Sequence, residues 1–256
     1  MYQDEFLARY GSNKQVRALL DKNGYAASQE MHKNPTLDAD TLLQVHLKGA
    51  SHSAKFRSLE HPNFAHHKLL DLSNPEIQHH SLNNINLSPD SIREIHNKTS
   101  NSGTKAKVYG HPNCPVDVHD KAFEPDVPSS QVAAAVENPN CPVYRLTDIK
   151  NIEHDSPSVL SKILQNPKTP EHVLVKHGVE SDMKHYREDV IDNPSLPYKY
   201  ASAAIRGSDS RMMNRAIHHP DVTKDDFDHF AKNRKDYYSL PEKHLNKYYP
   251  NGYKPA

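Results

Sequence analysis

A short motif recurs along the chain with a nearly constant step, and this constrains the fold more than any other feature. His111-Pro-Asn-Cys-Pro115 and Asn138-Pro-Asn-Cys-Pro142 are near copies. Related segments begin at Asn34-Pro35, His61-Pro62, Asn166-Pro167, Asn193-Pro194 and His219-Pro220, and a weaker one, Ile85-Asn-Leu-Ser-Pro89, fills the remaining gap. The leading positions are therefore 34, 61, 85, 111, 138, 166, 193 and 219. A fixed step of this size, roughly 24–28 residues, is the mark of a solenoid, in which each unit buries its apolar face only by stacking on its neighbours.

Each period reads as two short helices. Number the Asn or His as zero. Positions +8 and +11 carry Leu42 and Val45, Leu69 and Leu72, Leu146 and Ile149, and Phe227 and Phe230, a spacing that puts both on one helical face. The third and fourth periods fit less well, with Arg93 and His96, then His119 and Ala122, although Ile92 and Val118 sit one residue earlier. The prolines at +4 (Pro89, Pro115, Pro142, Pro170 and Pro197) fall near a first helical turn, where a missing N–H costs nothing. Positions −2 and −3 are apolar, as in Ala135-Val136, Ile163-Leu164, Val190-Ile191 and Ala216-Ile217. They predict a second helix that stops at the motif, because proline biases its predecessor away from helical angles. Asn and His at zero are both able to close a turn through a backbone group. Asn138, Pro139, Pro142, Asn166, Pro167, Asn193 and Pro194 define the motif at its clearest. Position +3 (Leu37, Phe64, Ser88, Cys114, Cys141, Thr169, Leu196, Val222) reads as a small packing column.

Asn-Pro-Asn-Cys-Pro followed by a Leu-x-x-Ile helix resembles the leucine-rich repeat variant, an α-solenoid relative of HEAT repeats, over about residues 34–231. The resemblance implies an all-α, right-handed α-solenoid of about eight two-helix repeats, each roughly 24–28 residues long, with atypical caps. It implies no shared enzymatic activity. Two cysteines do not supply the Cys-rich iron–sulfur module that some members of that family carry. Residues 1–33 read as an N-terminal helical cap, 34–231 as the repeats, and 232–256 as a basic, Tyr-rich cap or tail. The polar run 97–106 reads as a loop and a candidate hinge.

Composition narrows the function. Lys plus Arg number 32 and Asp plus Glu number 32, so no global field attracts nucleic acid or an acidic membrane. No apolar run approaches the length of a membrane span, and Met1-Tyr-Gln-Asp-Glu-Phe6 does not read as a secretory signal, so a cytoplasmic location is expected. The 19 histidines contain no pair at i,i+3 or i,i+4 and no His-x-His, so no metal site and no cofactor are expected. Cys114 and Cys141 occupy a packing slot rather than a nucleophile's setting. Glycine-rich phosphate loops are absent, and Asp225, Asp226 and Asp228 open a helix, where carboxylates favour the positive dipole end.

Two functions remain. The first is a non-enzymatic module that binds a protein partner along a solenoid face. That face carries the mixed-sign column at −1, with Lys33, Glu60, Gly110, Glu137, Gln165, Asp192 and His218. The second is nucleic-acid binding through a basic strip, Arg206, Arg211 and Arg215 continued by Lys232, Arg234 and Lys235, with the tail tyrosines Tyr237, Tyr238, Tyr248, Tyr249 and Tyr253 stacking on bases. Two other readings of those tyrosines compete: aromatic anchors for a groove on a protein partner, or rings that fold back and seal the last repeat.

Overall fold

The computed structural model describes residues 3–22, 30–49, 51–65, 71–148, 156–233 and 241–250. Among these, all regular structure is helical and no strand is present. Two compact units divide the chain, Met1–Asn140 and Cys141–Ala256. Each is described by itself.

The helices are short because the sequence starts and stops them often. In the first unit Ser12, Asp38, Ser51, Asn74, Ser88 and Asn101 each accept a hydrogen bond from an amide in the first turn that follows. Such caps satisfy donors that the helix itself leaves open. Pro115, Pro142, Pro170 and Pro197 stand at the N-cap itself, in extended conformation, one residue before the helical turn. Of the prolines in the +4 series only Pro89 lies inside its helix, with Ser88 as cap.

The recurring Asn or His does more than close its own turn. In the first unit the Asn138 side chain is 1 % exposed. Its Oδ1 accepts the Asn140 N–H at 2.8 Å, and its Nδ2 donates to Tyr109 O and His111 O at 2.9 and 2.7 Å. Asn84 repeats this arrangement on Asn86 N, Leu59 O and His61 O. At His61 and His111, Nδ1 accepts the N–H two residues on, and Nε2 donates to Asn34 O and Asn84 O at 3.1 and 2.9 Å. Rungs at 34, 61, 84, 111 and 138 therefore form one continuous ladder, alternating Asn and His. A parallel ladder runs beside it: Asn63, Asn86, Asn113 and Asn140 donate to Pro35, Pro62, Ile85 and Pro112 carbonyls. In the second unit Asn193 donates to Leu164 O and Asn166 O, and Ser195 to Pro167 O. His219 Nε2 donates to Leu196 O instead, three residues beyond the equivalent carbonyl.

The structure corrects the phase of the third period. Its zero position is Asn84, fully buried, whereas Ile85 is 64 % exposed. The helical columns shift with it to Ile92 and Ile95, both 0 % exposed, and position +3 becomes Leu87 rather than Ser88. The N-terminal cap also joins the ladder, because Asn34 Nδ2 donates to Ala8 O and Gly11 O. Gly11 takes the preceding zero position, and a Cβ there would lie 2.3 Å from Leu7 O.

The polar run 97–106 is not a long loop. Helix Pro89–Lys98 ends in it, Asn101 caps Thr104 N at 2.9 Å, and helix Ser102–Gly110 begins in it. Its serines, threonines and asparagines serve the helix ends.

The apolar positions before each motif, from Leu59 through Val108, Ala135, Ile163, Val190 and Ala216, are buried, as are Leu42, Val45, Leu146, Leu174, Phe227 and Phe230 of the other column. Leu69 and Ile149 lie outside the described residues. In the sixth period, where position +11 is His177, a π-turn, Leu174–Val179, adds a residue, so Gly178 takes the buried place of that column. A Cβ on Gly178 would lie 2.6–2.9 Å from three side-chain atoms of Val190. Gly178→Ala is expected to lower stability by about 1–3 kcal/mol through overpacking. Val190→Ala in the same chain should recover only part of that loss in thermal unfolding, because it removes the two Cγ contacts and keeps the Val190 Cβ at 2.6 Å.

Candidate partner-binding surface

In the second unit, helices Lys184–Ile191 and Ser210–Ala216 pack together. Four of the residues singled out from sequence, Asp192, Arg211, Arg215 and His218, line one groove of about 500 Å³ with Asn214 and Pro220. The charged side chains of the groove are paired internally. Arg215 donates to Asp192 Oδ2 at 2.5 Å and to Glu188 O at 3.1 Å, and Arg211 reaches Glu188 Oε1 at 3.3 Å. Gln165, exposed at the end of helix Pro157–Gln165, donates to Asp189 Oδ1 at 2.8 Å.

The same pairing extends to Arg206, whose Nε donates to Asp226 Oδ1 at 2.5 Å. Asp226 is 2 % exposed. Burial pushes its carboxyl up, but the hydrogen bonds from Tyr198, Ser202 and Arg206 outweigh that and hold it below the usual carboxylate range. Arg206, Arg211 and Arg215, the described arginines of the basic strip, thus face acidic partners. Arg234 and Lys235 lie outside the described residues. Asp228 is held by Lys224 Nζ at 2.6 Å and by the Tyr249 hydroxyl. The three-aspartate cluster is therefore the opening of helix Lys224–Asn233 and part of its packing.

Tyr248 and Tyr249 end helix Glu242–Tyr248 and fold back on helix Lys224–Asn233. The Tyr248 hydroxyl donates to Val222 O, and both rings lie 6.1 Å from the Phe227 ring. Beside them His244 is 1 % exposed and stacks on Tyr248. These two tyrosines seal an end of the second unit, leaving little ring face for a base. Tyr237, Tyr238 and Tyr253 lie outside the described residues.

In the first unit Glu137 is exposed at the end of helix Ser129–Glu137 and borders a separate groove of about 400 Å³ over Gly110. The motif residues Asn138, Asn166 and Asn193 are buried and structural, while Pro139, Pro167 and Pro194 are exposed beside them.

Burial pushes the Cys114 thiol up to about 12, so it stays protonated at neutral pH. Cys141 is buried, and neither cysteine forms a disulfide among the described residues. Among the described residues no group of three His, Cys, Asp or Glu is placed to hold a metal ion, and no helix is long and apolar enough to cross a membrane. Comparison with family models, with curated proteins and with solved structures gave no match.

Proposed function

We propose that the chain is a right-handed α-solenoid of about eight two-helix repeats, related in design to the leucine-rich repeat variant, and that it works in the cytoplasm without catalysis, as a scaffold binding a protein partner. The observation that carries this reading is the pair of side-chain ladders within the first unit. Every turn from 34 to 138 is tied to the one before it through the same backbone positions. Elements linked by a constant step expose like positions side by side and build an extended surface, which suits a macromolecular partner. The charges on the candidate face are of both signs, and Arg206, Arg211 and Arg215 each have a carboxylate neighbour. That pattern favours a protein over a polyanion, since phosphate binding draws on cations free to replace counterions.

The test is capture of the full-length tagged chain from its native lysate, with and without nuclease. A stoichiometric protein retained after nuclease, and weakened by reversing the charges of Glu137 and Asp192, is the expected result. Recovery of nucleic acid, or loss of the captured protein on nuclease treatment, overturns the reading in favour of nucleic-acid binding.

A further inference from the structure

Two departures from the repeated motif meet in one place in the first unit. The residue after the zero position is proline in seven turns (Pro35, Pro62, Pro112, Pro139, Pro167, Pro194 and Pro220) and isoleucine, Ile85, in the eighth. The residue before it carries a polar side chain everywhere except at Gly110. Ile85 and Gly110 line the same groove of about 400 Å³. One wall comes from Leu82 and Ile85, the floor from Ala106, Lys107 and Gly110, and the far wall from Ala134. Gly110 keeps that floor open, since a Cβ there would stand in van der Waals contact with the far wall, 3.4 Å from Ala134 O. Ile85 stands beside it, 64 % exposed.

Lys107 supplies the only cation of this groove's lining. Its Nζ donates to Asn83 Oδ1 at 3.0 Å and lies 3.3 Å from His79 Nε2. An ammonium has three donors, and among the described residues no carboxylate forms an ion pair with this one. The nearby Glu60 carboxylate is taken by His80 at 2.6 Å and Asn83 at 2.9 Å. Partial burial pushes the Lys107 ammonium down from the usual lysine range, and a carboxylate brought to it would reverse that effect. Glu137 on the far wall disfavours a second anion there.

We propose that this groove receives a segment of a partner protein in which an apolar side chain enters against Ile85 and over Gly110 while an aspartate or glutamate a few residues away meets Lys107. The proposal rests on the scaffold reading above and names the partner's chemistry at one site.

The probe is a displayed library of random dodecapeptides, panned on the full-length chain. Enriched peptides are expected to pair Leu, Ile or Met with an acidic residue within four positions. Ile85→Pro and Gly110→Glu each restore what other turns carry, and Ile85 N–H donates no hydrogen bond that proline would remove. Each should weaken a selected peptide at least tenfold with an unchanged helical circular dichroism spectrum. Lys107→Glu should turn the selection from acidic to basic peptides. Should a variant lose its fold, the wild-type chain still decides, because the Ile85 methyl resonances must shift on titration with the peptide. Peptides without an acidic residue, affinities within twofold of wild type in folded variants, or unshifted Ile85 methyls overturn the proposal. So does self-association that Ile85→Pro abolishes, which assigns the groove to a second copy. If Gly110→Glu captures the native protein partner at full yield, the groove assignment fails and the scaffold reading stands. Nuclease-sensitive capture fails the scaffold reading itself.

Discussion

Asn138→Leu is expected to lower the stability of the first unit by about 3–5 kcal/mol, read as a shift of the urea unfolding midpoint. Leucine matches asparagine closely in size and removes all three hydrogen bonds at once. The Asn140 N–H loses its acceptor, and Tyr109 O and His111 O lose a donor, in a site 1 % exposed. A buried donor left unpaired costs about 1–3 kcal/mol, and lost bonds add about 1 kcal/mol each. Asn138→His should be far milder, by about 1 kcal/mol, because two of the three bonds have a substitute. His111 and His61 fill the equivalent position with one nitrogen accepting and one donating. Asn138→Asp should be the most damaging at neutral pH, because a carboxylate keeps the acceptor but sets a negative charge against two carbonyl oxygens. The order Asp, then Leu, then His follows from the ladder. A merely turn-closing residue would rank Asp as mild, since aspartate closes turns as readily as asparagine.

The period itself is legible because the chain repeats its punctuation, and so is the all-helical class, because apolar positions keep helical spacing around it. The ladder between turns is not. Asn and His at zero announce a turn, and nothing local announces that Nδ2 or Nε2 will reach a whole period back. The phase error at Ile85 has a specific cause. Proline is a poor anchor there: the third turn has none after its zero residue, while Pro89 lies one place later than the other prolines of its series. The better anchor is Asn at +2: Asn63, Asn86, Asn113 and Asn140 make equivalent bonds, and Asn86 places the zero at Asn84. Gly11 carries no signal at all, since it offers its carbonyl and no side chain.

The surface is legible in its columns and illegible in its pairings. Arg206, Arg211 and Arg215 stand out as a basic strip only while the chain is read along its length. Read one period back, Arg211 meets Glu188 and Arg215 meets Asp192, and the strip becomes a set of ion pairs. Exposed pairs of this kind add little to stability, typically under about 1 kcal/mol. Their consequence is on recognition: they neutralise the cations that a phosphate backbone needs, leaving a surface of alternating sign. The candidate face and the Gly110 groove emerge from the same habit of reading across periods, because a departure is visible only against the column it breaks.

Mild acid is expected to destabilise the first unit steeply between about pH 7 and pH 5, and replacing two histidines by asparagine should remove most of that slope. His61 and His111 are 5 % and 3 % exposed. Burial pushes both imidazoles below the usual histidine range, and the backbone carbonyls of Asn34 and Asn84 only partly offset it. His96, 9 % exposed and bonded to the Tyr109 hydroxyl, is shifted the same way by burial. The geometry explains why these sites resist protonation. Each rung histidine donates from Nε2 and accepts a backbone N–H at Nδ1, so an added proton at Nδ1 would face the Asn63 or Asn113 amide donor. With the folded value below the unfolded one of about 6.5, the unfolded chain binds more protons as pH falls, so stability is full above about pH 7 and declines below it. Each buried histidine then contributes a loss of up to about 2 kcal/mol by pH 5, at about 1.36 kcal/mol per pH unit. His61→Asn with His111→Asn installs the residue found at the alternate rungs and donates to the same carbonyls. At about pH 7.5 the double variant should stay within about 2 kcal/mol of wild type, because each replaced rung keeps its acceptor and its donor. Its stability profile should lose most of its slope down to about pH 5, the remainder being that of His96. Below that, the carboxylates held low by their partners, Asp38 and Glu60 among them, take over as they protonate. A double variant whose midpoint of urea unfolding falls with acid as steeply as that of wild type would show that the rung histidines do not carry the acid sensitivity.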